Sequence, residues 1–93
     1  MFGPIASATQ SPSITDIKKW STEQLIQHLQ AKFPKLKKDS LDILDQNDVE
    51  GIGFLSLTED KLMAVGMKLG PAVIIAGYIE QLNATGKYTF ALF

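Results

Sequence analysis

Between positions 20 and 82 the apolar residues recur at intervals of three and four, the spacing of one face of a helix. Capping and breaking residues cut that pattern into short pieces. Leu25, Ile26, Leu29 and Phe33 form the first face. Ser21 with Gln24 three positions on makes a capping box, Trp20 and Leu25 sit where a hydrophobic staple needs them, and Pro34 ends the element by disfavouring helix at Phe33. A second helix is expected from 39 or 40 to 46. Leu41, Leu44 and Ile43 point inward there, Asp42 and Asp45 outward, and Asn47-Asp48 breaks it. The third piece, 51–55, can be little more than one turn, because Gly51 and Gly53 each weaken a helix. Thr58 caps a fourth helix, with Glu59 and Asp60 opposing the positive end of its dipole, Leu57 and Leu62 as a staple, and Gly66 placed for a left-handed stop. Pro71 opens a fifth helix through Val73, Ile74, Ile75, Tyr78, Ile79 and Leu82, expected to stop by Gly86. Its first half is apolar on more than one face, which exceeds what a simple amphipathic helix needs.

Five helices in 93 residues predict a single all-α domain, a compact five-helix bundle with one modest core. A chain this small buries only about 60–65% of its unfolded surface, which leaves little room for a substrate cleft. Residues 1–14, rich in Ser, Thr, Ala, Gly and Pro, read as a flexible tail, 15–86 as the folded domain and 87–93 as an extension. The extension alternates weakly and is expected either to cover the core through Phe90 to Phe93 or to dock elsewhere. The longest purely apolar run, 72–76, is too short to span a membrane. No charged leader with a long apolar core is present, and Asn83-Ala84-Thr85 is therefore a silent glycosylation pattern. With no cysteine, disulfides and thiolate metal sites are excluded, and an intracellular setting, cytoplasmic or nuclear, is expected.

Charge changes the picture more than composition does. The net charge is only −1, but from Asp39 to Asp60 there are seven acids and no base. Lys32, Lys35, Lys37 and Lys38 form a separate basic cluster, and all nine basic residues are lysines. Lacking arginine, the preferred group for bidentate phosphate recognition, the chain is poorly equipped for nucleic acid. The lysine cluster reads as a solvated loop, as a partner for another chain's acidic surface, or as a weak phosphate site.

Catalytic and metal chemistry find no support. Asp45, Asn47 and Asp48 begin like a calcium loop, but the glycine falls one position late at Gly51 and the twelfth position is Ser56 rather than Glu. His28, the only histidine, has no partner at metal spacing and reads as a partly exposed structural residue. No nucleophile, base and orienting acid stand together, so no enzyme and no cofactor are expected. Trp20 is explained by its staple better than as a binding hot spot. Ile74 and Ile75 are left open between core and contact patch.

Four motifs in order carry a resemblance. Trp20-Ser21-Thr22-Glu23 opens the first helix, Asp48-Val49-Glu50-Gly51 makes an acidic bend, Leu57-Thr58-Glu59-Asp60-Lys61-Leu62 starts the fourth helix, and Gly66-Met67-Lys68-Leu69-Gly70 leads into the last. Together they resemble a sterile alpha motif (SAM) domain over about two thirds of the chain. Each is only a capping or turn signal; their order and spacing make the match.

The resemblance implies a five-helix bundle that binds proteins, as a signalling or scaffold module, through two surfaces. The acidic mid-loop surface falls on Asp42, Asp45, Asp48, Glu50, Glu59 and Asp60. The end-helix surface falls on Lys68, Gly70, Pro71, Ala72 and Ile74. Contact between two such surfaces is heterologous and can end at a pair or continue as an open polymer. Here the second surface departs from the family pattern, because Pro71, Ala72, Val73 and Ile74 stand where cations are common. That weakens a purely charge-driven contact and offers an apolar helix start for burial instead. The expected partner is a protein, either a second copy or another SAM domain. The alternative is a hairpin RNA, which a minority of the family binds, but that mode wants several cations where only Lys68 stands.

Overall fold

The computed structural model describes residues 12–91, with side chains described through residue 84. Among the described residues six helices follow in chain order: α1 Ile14–Lys18, α2 Thr22–Lys32, α3 Lys38–Gln46, α4 Gly51–Phe54, α5 Glu59–Ala64 and α6 Leu69–Ala91. The all-α class and the bundle expected from the sequence are observed, and no strand occurs among the described residues. Among the described residues this is one helix more than expected, α1.

That helix, α1, has its own start signal. The Ser13 hydroxyl accepts from the Asp16 amide at 3.1 Å, and the Asp16 carboxylate accepts from the Ser13 amide at 3.4 Å, a capping box. The helix runs for 5 residues, too short for apolar periodicity to reveal it. It is held instead by one side chain, Ile17, which is wholly buried. The expected tail of 1–14 therefore gives way to a cap at Ser13 and helix at Ile14; positions 1–11 lie outside the described residues.

The caps at Ser21 and Thr58 form as expected. Ser21 and Gln24 exchange hydrogen bonds of 3.2 and 2.9 Å, and the Thr58 hydroxyl accepts from the Lys61 amide at 3.2 Å. α3 starts at Lys38, just ahead of the expected 39 or 40. It closes where Asn47 turns its side-chain amide back to the Ile43 carbonyl at 2.8 Å, and Asp48 then takes a left-handed φ of 52°. Asp is among the few residues with a short polar side chain that tolerate this conformation. Gly66 ends the α5 segment with φ 104°, the left-handed stop expected of it.

The core is one cluster. Ile17, Leu25, Leu29, Leu41, Leu44, Phe54 and Leu62 pack around one face of α6, from which Ala72, Ile75, Tyr78, Ile79 and Leu82 enter it. Spacings of three and four along α6 place these residues on one stripe. Each fully buried Leu or Ile contributes about 1.5–3 kcal/mol relative to exposure. Trp20 packs on the same cluster at its edge. α2 lies against α3, α5 against α6, and α1 against both α4 and α6.

The contact between α1 and α4 is unusually close. The Gly51 amide donates to the Trp20 carbonyl at 3.0 Å, and a Cβ at Gly51 would fall on the Ile17 carbonyl. Glycine is required there by space, not by φ. α6 is longer than expected, passing Gly86 to reach Ala91 in a run of 23 residues. One internal glycine costs a helix only about 1 kcal/mol, and no proline follows to stop it. Whether Phe90 to Phe93 cover the core falls outside the described side chains.

Candidate protein-interaction surfaces

The acidic positions follow the path of the chain from α3 into α4. Asp45, Asp48 and Glu50 are exposed, and so are Glu59 and Asp60 at the head of α5. Asp42 is partly committed, since Lys38 approaches it at 3.5 Å one helical turn away. Such an exposed pair is worth little in stability, at most about 1 kcal/mol. Glu50 sits just before α4 with no capping hydrogen bond from its carboxylate. Two residues on, Ile52 projects from α4 and is 61% exposed, the most exposed large apolar side chain of the described set. Asp48, Glu50 and Ile52 thus present an apolar knob beside two carboxylates.

The last-helix start is less uniform than its sequence suggested. Lys68 and Gly70 are exposed, Pro71 half-buried, and Ile74 45% exposed. Ala72 is wholly buried. It belongs to the core stripe of α6 and is withdrawn from the contact surface, because position 72 faces the same side as Ile75, Ala76 and Ile79. The question left open by the sequence is also resolved: Ile75 is core, while Ile74 points outward.

The structure brings the last-helix start together with part of the lysine cluster. A groove of about 300 Å³ runs between the α2–α3 loop, the first turns of α3 and the start of α6. Leu36, Ile43, Pro71 and Ile74 give it an apolar lining, and Lys35, Lys37 and Lys68 supply cations. Asp39 and Ser40 line it as well. The four lysines of the cluster therefore have three different fates. Lys32 lies over the rings of Phe33 and Tyr78 at 5.8 and 5.1 Å, Lys38 faces Asp42, and Lys35 and Lys37 join Lys68. Sequence distance hid this convergence, since about thirty positions separate Lys37 from Lys68; only the fold, which lines one groove with both, closes the gap.

His28 has a structural role. Its Nε2 lies 2.7 Å from the Tyr78 hydroxyl, joining α2 to α6, and its ring packs 4.8 Å from the Trp20 ring. Burial, and then the nearby Lys32 ammonium, lower its pKa, so the neutral ring is favoured. Burial likewise raises the pKa of Tyr78. No helix among the described residues is long and apolar enough to cross a membrane.

Residues 2–81 match the family described as SAM-like domain. The chain is 32% identical over 78 residues to Sex comb on midleg-like protein 1 of Hoolock hoolock, a match over 83% of this chain and 22% of that protein. It is 30% identical over 74 residues to Polycomb protein SCMH1 of Homo sapiens, over 78% of this chain and 11% of that protein. The chain thus spans 22% and 11% of the lengths of these relatives. No solved structure matches it with significance.

Proposed function

The chain belongs to the SAM-like domain family, and from that premise we propose that it is a protein-interaction module that associates with a second copy or with another SAM domain. The acidic surface of one molecule meets the last-helix start of the next. The observation that carries this is the pairing of opposites on one chain. Exposed Ile52 stands beside Asp48 and Glu50, while Lys35, Lys37 and Lys68 rim an apolar groove at the start of α6. Such a contact is asymmetric, and each molecule keeps one free surface of each kind. Rim charges set orientation and on-rate, and apolar burial supplies affinity.

The role is binding rather than catalysis, and it needs no cofactor. An intracellular setting, nuclear included, fits a chain without cysteine. Hairpin RNA is the weaker alternative: the groove offers three lysines, no arginine, and one acid in Asp39. Light scattering after size exclusion, over a concentration series at low and high salt, tests the proposal. Mass that rises with concentration and falls with salt is expected. A monomer at every concentration would remove self-association and leave only a different SAM domain as partner.

A further inference from the structure

His28 and Trp20 take no part in the two candidate surfaces, yet they are coupled to one of them. His28 Nε2 lies 2.7 Å from the Tyr78 hydroxyl, and its ring packs 4.8 Å from the Trp20 ring and 5.8 Å from the Tyr78 ring. Trp20 is engaged on both sides. Its ring leans on His28, while its backbone ties two helices together. The Trp20 amide donates to the Ile17 carbonyl at 3.0 Å, and the Trp20 carbonyl accepts from the Gly51 amide at 3.0 Å. The Ile17 carbonyl is also the group that fills the space beside Gly51. One residue therefore joins the histidine, α1 and the head of α4.

α4 depends on that seat. It is 4 residues long, has no side-chain cap, and buries one large side chain, Phe54. A helix of a single turn is not stable by itself, so tertiary contacts decide where it sits. Elements with few such contacts are the ones that open locally. Glu50 at the head of α4 and Ile52 within it are both exposed, and they move wherever α4 moves.

We propose that His28 is a proton-operated latch: once protonated, its ring leaves the Tyr78 hydroxyl, Trp20 moves with it, and α4 loosens from its seat on Trp20 and Ile17. A neutral imidazole can accept from the Tyr78 O–H, whereas an imidazolium can only donate. The Tyr78 hydroxyl has no second partner among the described residues, so a protonated His28 leaves its hydrogen without an acceptor. The groups facing His28 also resist a positive charge. From α2 the Lys32 ammonium acts on it as a like charge, and it lies 5.1 Å from the centre of the Tyr78 ring. From α6 comes Tyr78, and from the link between α1 and α2 comes Trp20, both neutral near pH 6. No carboxylate pairs with His28 among the described residues. Water is then the better place for the imidazolium. Cations are attracted to an indole face, so Trp20 follows the ring outward. With one histidine and no cysteine in the chain, His28 is the only side chain whose ordinary pKa falls between about pH 5.5 and 7.5. The latch itself does not depend on self-association. Its consequence, weaker pairing through Glu50 and Ile52 in mild acid, rests on the reading proposed above.

The test is amide hydrogen exchange by NMR on the whole chain at about pH 7.5 and 5.5, each rate divided by its intrinsic rate at that pH. The Gly51 amide should lose protection at the lower pH, while the Leu44 amide in α3 keeps more of its own. The fluorescence of Trp20, the only tryptophan, should change over the same pH range. His28→Gln, which cannot titrate, should abolish both responses; circular dichroism at pH 7.5 establishes that this variant folds. Gly51 and Leu44 losing protection in equal proportion would reveal global loosening and overturn the latch, and the wild type alone supplies that comparison. A Gly51 response that persists in His28→Gln would overturn it as well. Sedimentation equilibrium at the same two pH values, at constant salt, reads the consequence. The wild type should associate several-fold more weakly at the lower pH, and His28→Gln should show no such change. A wild type that associates at neither pH would overturn self-association, and the exchange data would still decide the latch.

Discussion

Gly51 and His28 show how single residues set this fold. At Gly51 a side chain has nowhere to go, because the Ile17 carbonyl occupies the place of a Cβ. Gly51→Ala must push α4 away from α1 and strain the 3.0 Å hydrogen bond to the Trp20 carbonyl. Overpacking of this kind costs about 1–3 kcal/mol, and for a domain of this size each kcal/mol lowers the melting temperature by about 4–8 °C. A thermal melt followed by circular dichroism should show that loss. Gly53→Ala, with open space around it, should show none or a slight gain. His28 gives a pH dependence. Burial and Lys32 depress its pKa in the folded state, so the stabilising neutral form is fully populated above the ordinary histidine value. Stability is then lost as pH falls from that value through the lower folded-state one. Melts between about pH 7.5 and 5.5 should show it, and His28→Gln should flatten the slope while lowering stability at pH 7.5.

At the scale of elements, legibility followed the strength of local signals. α2, α4 and α5, with their caps at Ser21 and Thr58 and the stop at Gly66, were readable because each is written within a few consecutive residues. α1 was not inferred, although Ser13 and Asp16 spell its capping box, because one turn anchored by Ile17 has no periodicity to display. α6 ran past Gly86 because a glycine without a following proline only weakens a helix. Among the candidate contact residues, the exposure of Asp48 and Glu50 was legible, the burial of Ala72 was not, and Ile52 went unnoticed inside a one-turn helix. Lys35, Lys37 and Ser40 could not be tied to Lys68 without the folded groove that all four line. α1 also makes a prediction of its own. Ser13→Ala should cost about 1 kcal/mol through loss of the cap, and Ile17→Ala about 2–5 kcal/mol through the cavity it leaves. Urea titrations of the two variants check the order; equal midpoints would show that α1 does not buttress α4.

For the whole molecule, the two surfaces are built from different ends of α3. Its start lines the groove, and its end delivers the chain to Asp48, Glu50 and α4. On the proposed pairing, one copy would offer both surfaces at once, as an open assembly requires. On that pairing, rim charges would make the assembly salt-sensitive, and burial of Ile52 against Pro71 and Ile74 would keep part of it at high salt. Ile52→Asp should weaken association at every salt concentration without lowering the melting temperature, since the side chain is already 61% exposed. The most direct measurement mixes two disabled chains, one carrying Asp48→Lys and Glu50→Lys, the other Lys35→Glu and Lys68→Glu. Each alone should sediment as a monomer, and an equimolar mixture should give a dimer and nothing larger, because only one intact surface of each kind remains. Monomers alone in the mixture, or either variant still associating by itself, would contradict the pairing of the acidic surface with the groove.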